Sequence, residues 1–377
     1  MREEKPEILI VGGGPAGSAC GIFLAQAGFR VTICERSTFP RDKICGECIN
    51  PRNWKYFELL GIVDQLRSLN LNRIDSFRVT NSSRSFVHGR TSASAATPFF
   101  SIPRSLFDKI LLDRARAAGA DVFENVPVRD LFWQNGWHII VETAGSLRTL
   151  RADILIGADG RNSIVARKMS HFHKRKVNGR SRTSIQSGRV GVQWHMKHQQ
   201  AIGSSVEMFL FDSGYCGVVN LEGGLANVAL VTVPEIAQLA TRDFPAFLRK
   251  TVFSNRSARE RLEFVHPAGR VLTAAPINPA SHRSSHPCAF LVGDARQTVE
   301  PFTGEGILFA FQDACSTARS ITEHYGTLHP VAPPSYSRFV SNNLLSPALR
   351  HPFFAEGLIR QHFNRFLSMF AKSFFHG

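Results

Sequence analysis

Residues 45–48 read Cys45-Gly46-Glu47-Cys48, and residues 12–17 read Gly12-Gly13-Gly14-Pro15-Ala16-Gly17. The first spacing suits a dithiol that passes electrons, or half of a tetrahedral metal site. The second is Gly-x-Gly-x-x-Gly, which suits a pyrophosphate. Gly12 allows a tight turn, Gly14 lets backbone approach the phosphates, and Gly17 lets a helix pack close to a sheet. Pro15 and Ala16 then start that helix, whose unpaired N–H groups and dipole favour an anion. Glu35, with Arg36 beside it, follows twenty-one residues after Gly14, a place from which a carboxylate accepts hydrogen bonds from a ribose. Two more acidic turns stand further on, Asp159-Gly160 and Gly293-Asp294, the latter followed by Pro301, Gly304 and Gly306. A zinc site needs four ligands; no second cysteine pair occurs, and His171 and His173 add little, so no metal is expected.

These residues need elements to hold them. The run EILIV (7–11) is short, apolar and bounded by glycine, hence a buried strand. SACGIFLAQAGF continues the glycine turn as a helix of small residues, and RVTICE (30–35) is the next strand. That is one βαβ unit. Asn50 and Pro51 fit the N-cap and first position of a helix. PRSLFDKILLDRARAAG (103–119) is an amphipathic helix ending at Gly119. From about 185 to 232 the chain reads mostly as strands, CAFLVGDA returns to a buried strand, and 304–326 is a long helix. The order implies an α/β fold: an interrupted Rossmann-like domain with an inserted antiparallel β-sheet domain and C-terminal helices.

The chain's 377 residues suit two lobes, and 43% hydrophobic with 20% charged residues is ordinary for a soluble protein. Seven scattered cysteines, no secretory N-terminus and no apolar run near the ~18 residues of a membrane span give a cytoplasmic expectation. The charge is +15, densest over residues 166–182. Such a field attracts phosphorylated cofactors, acidic carriers or acidic membrane surfaces. No nucleic-acid partner is expected, because basic residues are not organised with stacking aromatics. His195 and His198 read as surface residues. In the C-terminal stretch, Ile359, Phe363, Phe366, Phe370 and Phe374 share one helical face. That face could hold the tail peripherally on the inner face of a membrane, but packing on its own domain is the favoured reading.

The glycine motif, DILIGADG and FLVGDA…PFTGEG, in this order, resemble the flavoprotein monooxygenase superfamily with the p-hydroxybenzoate hydroxylase fold, over residues 7–325. The resemblance implies FAD. The first motif would hold its ADP half, and Asp159 and Gly160 would serve FAD and passing NAD(P)H, the electron donor. Asp294 would bind the ribityl chain, and Pro301, Gly304 and Gly306 would lie against the flavin ring. FPRDKICGE and PFTGEG are similar to the geranylgeranyl-reductase-like branch, which implies that Cys45 and Gly46 sit near the flavin. Cys45 is the candidate catalytic residue and Cys48 incidental packing at the start of the following helix. Arg104 matches an arginine near the FAD pyrophosphate, Val128 a small position beside the adenine, and Tyr215 is the candidate pocket residue. The implied domains are 1–72, 100–183 and 268–330 for FAD, 73–99 and 184–267 for substrate, and 331–377 as a helical tail.

Disulfide reductases also pair a flavin βαβ with two cysteines, but they need a second Gly-x-Gly-x-x-Gly, which this chain lacks. Flavin halogenases share the fold but carry W-x-W-x-I-P. The tryptophans at 54, 133, 137 and 194 make no such motif, which disfavours halogenation. The oxygenases of the superfamily often carry His after Gly-Asp-Ala, where this chain has Arg296-Gln297. The expected activity is hydroxylation of an apolar or aromatic small substrate, polyketide- or peptide-type and free or carrier-bound, through a flavin hydroperoxide. The alternatives are reduction of isoprenoid double bonds and a non-catalytic flavin-binding maturation factor.

Overall fold

The computed structural model describes residues 5–80, 85–90, 94–174, 188–197, 203–262, 266–277, 280–299 and 301–326. The C-terminal stretch with its aromatic stripe, residues 175–182 of the basic block, and His198 lie outside the described residues, as do the side chains of His171 and His173.

Five short strands form a parallel sheet in the order Ala289–Leu291, Ile154–Gly157, Glu7–Val11, Arg30–Cys34, Asp121–Phe123. Its central strands are apolar throughout because both faces are covered. Ile8 and Ile10 pack under the helices Pro15–Gln26, Arg104–Ala117 and Gly306–Gly326, together with Ile22, Leu111 and Phe311. Leu9 and Val11 point the other way, into a core with Trp137, Ile139 and Val165. That side is the antiparallel ribbon Val128–Trp133, Trp137–Thr143, Ser146–Ala152 and the helix Ile164–Lys174. Each such fully buried side chain contributes roughly 1.5–3 kcal/mol. Small residues in the first helix allow close approach; a Cβ on Gly21 would stand 2.6 Å from Ile33 Cδ1.

The second sheet has seven strands in the order His266–Ala274, Val190–Lys197, Leu225–Thr232, Gly214–Leu221, Ser205–Phe211, Ser76–Thr80, Ser85–Arg90. All neighbours are antiparallel except Ser205–Phe211 with Ser76–Thr80. Its period-two pattern separates two faces. Trp194, Val218, Val228 and Leu230 point to the back, under the helices Pro234–Arg242, Phe244–Lys250 and Arg256–Leu262. Phe77, Met208, Tyr215 and Val231 point to the front, toward the first unit. The strand His266–Ala274 runs across the expected 267/268 domain boundary. Among the described residues no helix is long and apolar enough to cross a membrane.

Candidate active site

The glycine turn has the geometry its spacing implies. Gly12 has φ +103°, and a Cβ there would lie 2.5 Å from the Ala158 carbonyl oxygen. A Cβ on Gly17 would lie 1.9 Å from the Gly12 oxygen. Gly14 differs: it is the N-cap of the helix, with Pro15 at the first position, and a Cβ there would meet only Arg41 Nη2, at 3.6 Å. Gly17 therefore serves the protein's own packing, Gly12 both packs against Ala158 and borders the cavity, and Gly14 faces the cavity alone. Glu35 is buried, and its two oxygens accept hydrogen bonds from the N–H groups of Gly13 (2.7 Å) and Ser37 (2.9 Å). It staples the turn to the next strand. Each oxygen retains capacity for a second bond, which the expected ribose contact requires. Arg36 and Val128 line the same end of the cavity.

Beyond the turn stands a cluster of cations. Arg104, the first residue of its helix, forks onto Asp108 with Nε and Nη2 at 2.7 and 2.8 Å. Arg41 Nη1 approaches the same carboxylate at 3.3 Å and covers the Phe39 ring at 4.5 Å. Lys43 is close by. Burial lowers its ammonium to about 8; Asp294 opposes the shift, while Arg104, Arg161 and Arg41 add to it. Concentrated positive charge with one carboxylate fixing it is a built anion site.

The segment carrying the C-x-x-C is clasped by the second sheet. Cys45 N donates to Gln193 Oε1 at 2.9 Å, and Cys45 O accepts from Asn227 Nδ2 at 2.9 Å. The two amides complete a ring, Gln193 Nε2 donating to Asn227 Oδ1 at 2.8 Å. Both side chains are buried. The Cys45 side chain lies beside the Arg104 guanidinium, and Cys45 and Gly46 line the cavity. Cys45 and Cys48 are both free. Cys48 belongs to a two-residue strand paired with Phe100–Ser101, rather than to the helix start. Burial pushes its thiol up, and Cys45 and Glu47 add to that. A thiol held protonated is a poor partner in dithiol exchange.

His195 is not the surface residue expected. It is half-buried, its Nε2 2.8 Å from Glu47 Oε2, while the other oxygen of Glu47 accepts from Arg104 N at 2.9 Å. Its strand looked terminal, yet the 45–48 segment from a distant part of the chain lies over it. The hydrogen bond to Glu47 raises the His195 pKa, burial opposes, and the charges of Glu47 and Asp42 add to the rise. A folded-state pKa above the unfolded ~6.5 stabilises the fold fully below that pH, and the benefit is lost as pH rises through the folded value. Stability should therefore fall above pH ~6.5, by at most about 1 kcal/mol for this partly exposed pair. Urea midpoints at several pH values should show the decline in the wild type and a weaker one in His195→Gln.

The two remaining acidic turns meet the cavity from the parallel sheet. Asp159 turns into its own helix: Oδ1 accepts from Ser163 Oγ at 2.5 Å and Oδ2 from Ile164 N at 2.7 Å. Burial raises its pKa against those bonds. Gly293 has φ +57°, and its N–H donates to Asp313 Oδ2 at 3.0 Å. Arg296 forks onto Asp313 at 2.9 and 2.8 Å, so the residue standing in the usual His place secures the turn to the helix Gly306–Gly326. Asp294, thus presented, lines the cavity with Asp159, Gly160, Pro301, Gly304 and Gly306. A Cβ on Gly304 or Gly306 would meet nothing within 4 Å. Phe302, between them and Pro301, packs edge-on against Tyr215 at 5.0 Å, joining this turn to the second sheet.

One cavity of about 680 Å³ takes in all of these turns and the front of the seven-stranded sheet. Every residue expected at the site lines it except Gly17, which packs behind the turn. Asp108, Gln193 and Asn227 were missed, since each acts by holding another residue and carries no motif. Arg41 and Lys43 stood in the quoted FPRDKICGE, and their charge was the available signal. The open glycines, the cation cluster and the helix N-terminus fit a flavin dinucleotide: Arg41, Lys43 and Arg104 would hold its phosphates, and the open space at Gly304 and Gly306 would admit a flat ring.

Comparison with known proteins agrees. The FAD binding domain family matches residues 5–330. The flavin-dependent halogenase armH4 of Armillaria mellea is 28% identical over 348 residues, covering 84% of this chain and 65% of that protein. The menaquinone reductase of Mycolicibacterium smegmatis is 25% identical over 324 residues, covering 84% of this chain and 76% of that protein. Among solved structures, the flavin-dependent halogenase CmlS superposes with TM-score 0.74 at 25% identity, over 86% of this chain and 59% of that one. The chain thus spans less than two thirds of the length of armH4 and of CmlS. The myxobacterial chondrochloren halogenase CndH shares the fold, with TM-score 0.74 at 20% identity over 97% of this chain and 90% of that one. With the glycine turns, the cation cluster and the matched span in agreement, the chain belongs to the FAD binding domain family of FAD-dependent monooxygenases and halogenases, with a p-hydroxybenzoate hydroxylase-like fold.

Proposed function

We propose that this FAD-dependent oxidoreductase is a monooxygenase that hydroxylates an apolar or aromatic substrate, of polyketide or peptide type, with NAD(P)H as electron donor. Bound FAD would supply the two-electron chemistry with O₂. The supporting observation is that the dinucleotide-type turns and the front of the second sheet line one and the same cavity. Arg41, Lys43 and Arg104 would offset phosphate charge, and the Gln193–Asn227 ring would fix Cys45 over the junction. Met208, Val219, Val231 and Phe302 would exclude water from the reacting atoms. No side-chain base is needed for such a reaction.

Two other readings have support of their own. Relatives named as halogenases favour halogenation, against which stand the missing W-x-W-x-I-P and the fact that none of the four tryptophans lines the cavity. The likeness to a menaquinone reductase, together with FPRDKICGE and PFTGEG, favours reduction of an isoprenoid double bond. Following NAD(P)H consumption with and without O₂, and with added bromide, separates them. Oxygen uptake matched to NAD(P)H, with a product heavier by one oxygen atom, is the expected outcome. Anaerobic turnover, or bromine in the product, would transfer the protein to one of the other activities. Bound flavin with no NAD(P)H oxidation under any substrate would remove it from the enzymes.

A further inference from the structure

The segment 41–48 carries two of the cations of the anion site, Arg41 and Lys43, yet no helix or strand holds it before Cys48. Side chains fix it instead. Arg41 meets Asp108 at 3.3 Å, and Cys45 is clasped by Gln193 and Asn227. Glu47 is held at both carboxylate oxygens, by His195 Nε2 at 2.8 Å and by Arg104 N at 2.9 Å. Gln193 and His195 share a face of the strand Val190–Lys197, and Asn227 is the direct partner of His195 on the next strand. One patch of the seven-stranded sheet therefore positions the loop that would meet the phosphates.

Two forces work against that placement. Glu47 is buried with φ +56°, a left-handed conformation that a non-glycine residue keeps only when its surroundings hold it there. Its carbonyl accepts from Ile102 N at 3.0 Å, so the strained residue is tied on both sides. The second force is like charge: Arg104, Arg161 and Arg41 all crowd the Lys43 ammonium. With no phosphate bound, that repulsion pushes the segment off the site. It is opposed by the clasp, whose amides do not titrate, and by the Glu47–His195 pair, which does. The charged groups facing His195 are few. From the segment come Glu47 and Asp42, the latter 3.7 Å from Arg270 of the strand His266–Ala274. Lys197 stands two residues along on its own strand, while its cross-strand partners Asn227 and Ala268 are uncharged. The bond to Glu47 and both acids favour the imidazolium.

We infer that Glu47 and His195 are positioning residues of the flavin site: as an ion pair they latch the 41–48 segment, with Arg41 and Lys43, in place before FAD arrives. Flavin affinity then falls as His195 loses its proton. A segment that must first be ordered takes the cofactor more weakly, in proportion to the fraction of molecules in which it is already ordered. The inference needs FAD binding but not the monooxygenase reading, since affinity is measured whether or not O₂ is consumed. FAD titrated into the flavin-free protein at pH 6, 7 and 8 tests it. The wild-type Kd should rise at least about fivefold from pH 6 to pH 8. Lys43, whose ammonium lies at about 8, supplies at most about twofold of that rise. His195→Gln can still donate to Glu47 but has no proton to lose in this range, so its Kd should rise no more than about twofold. Glu47→Gly relaxes the backbone at φ +56° while cutting both side-chain anchors. A purely structural role would leave its flavin affinity at the wild-type level once folded; the latch predicts a loss of at least about tenfold at pH 6. Should Glu47→Gly not fold, the comparison of wild type with His195→Gln decides the matter alone. Equal pH slopes in those two proteins, or a folded Glu47→Gly that holds flavin as the wild type does, would overturn the inference. A protein that shows the latch yet never couples NAD(P)H to O₂ would sink the monooxygenase reading and leave the latch standing.

Discussion

Gly17→Ala should yield a protein that elutes without flavin and unfolds early. The added Cβ would sit 1.9 Å from the Gly12 carbonyl oxygen. That oxygen cannot step aside: Gly12 N donates to Cys34 O at 2.8 Å, and Gly12 itself is pressed against Ala158. The helix Pro15–Gln26 must then lift from the sheet, parting Ala19 and Ile22 from Ile8 and Ile10. Overpacking against backbone of this kind costs roughly 2–4 kcal/mol. Gly14→Ala is the informative contrast, because its Cβ would meet only Arg41 at 3.6 Å. It should keep its urea midpoint yet lose at least about tenfold in flavin affinity, since the methyl occupies the approach of the phosphates. Flavin-to-protein absorbance ratios and urea midpoints for the two variants check both halves. A Gly14→Ala protein that holds flavin like the wild type would place the phosphates elsewhere.

Asp108→Ala should be the next most damaging change. Asp108 is fully buried and holds Arg104 by two hydrogen bonds, with Arg41 at 3.3 Å. Removing it strands the buried Arg104 guanidinium and leaves the partly exposed Arg41 with Glu35 Oε1 at 3.8 Å, and breaking a buried pair from one side costs about 3–5 kcal/mol. Replacing both partners, Arg104→Met with Asp108→Leu, removes the stranded charge and should recover at least half of that stability. Flavin affinity should stay low in both proteins, because Arg104 has lost its anchor in the first and is absent from the second. Chemical unfolding and flavin titration of the single and double variants measure the two effects separately. Equal instability of both would mean that packing volume, not charge, is what Asp108 supplies.

The legible part of this protein was what a local stretch must do by itself. Gly12, Gly14 and Gly17 at their spacing can be read because a tight turn, a phosphate approach and a helix contact each need a missing Cβ within one short segment. The parallel sheet was legible because strands buried on both faces must be apolar throughout, and the second sheet because its alternation leaves few other folds. Position relative to distant segments was not legible. His195 read as surface because nothing nearby in sequence reveals that Glu47 lies over it. Gln193 and Asn227 looked like ordinary polar strand residues, yet 34 positions apart they clasp Cys45 from another part of the chain. The Cys45-x-x-Cys48 spacing fits several chemistries, and nothing local in it reveals that Cys48 pairs with Phe100–Ser101 while Cys45 is held by Gln193 and Asn227. The sequence by itself determined a phosphate-binding glycine turn and the two sheets, because those follow from local backbone needs and periodicity, while FAD was implied by the family resemblance of three spaced turns. Only the tertiary structure decided the clasp and the cation cluster, because each is made by long-range register and burial, which no single stretch encodes.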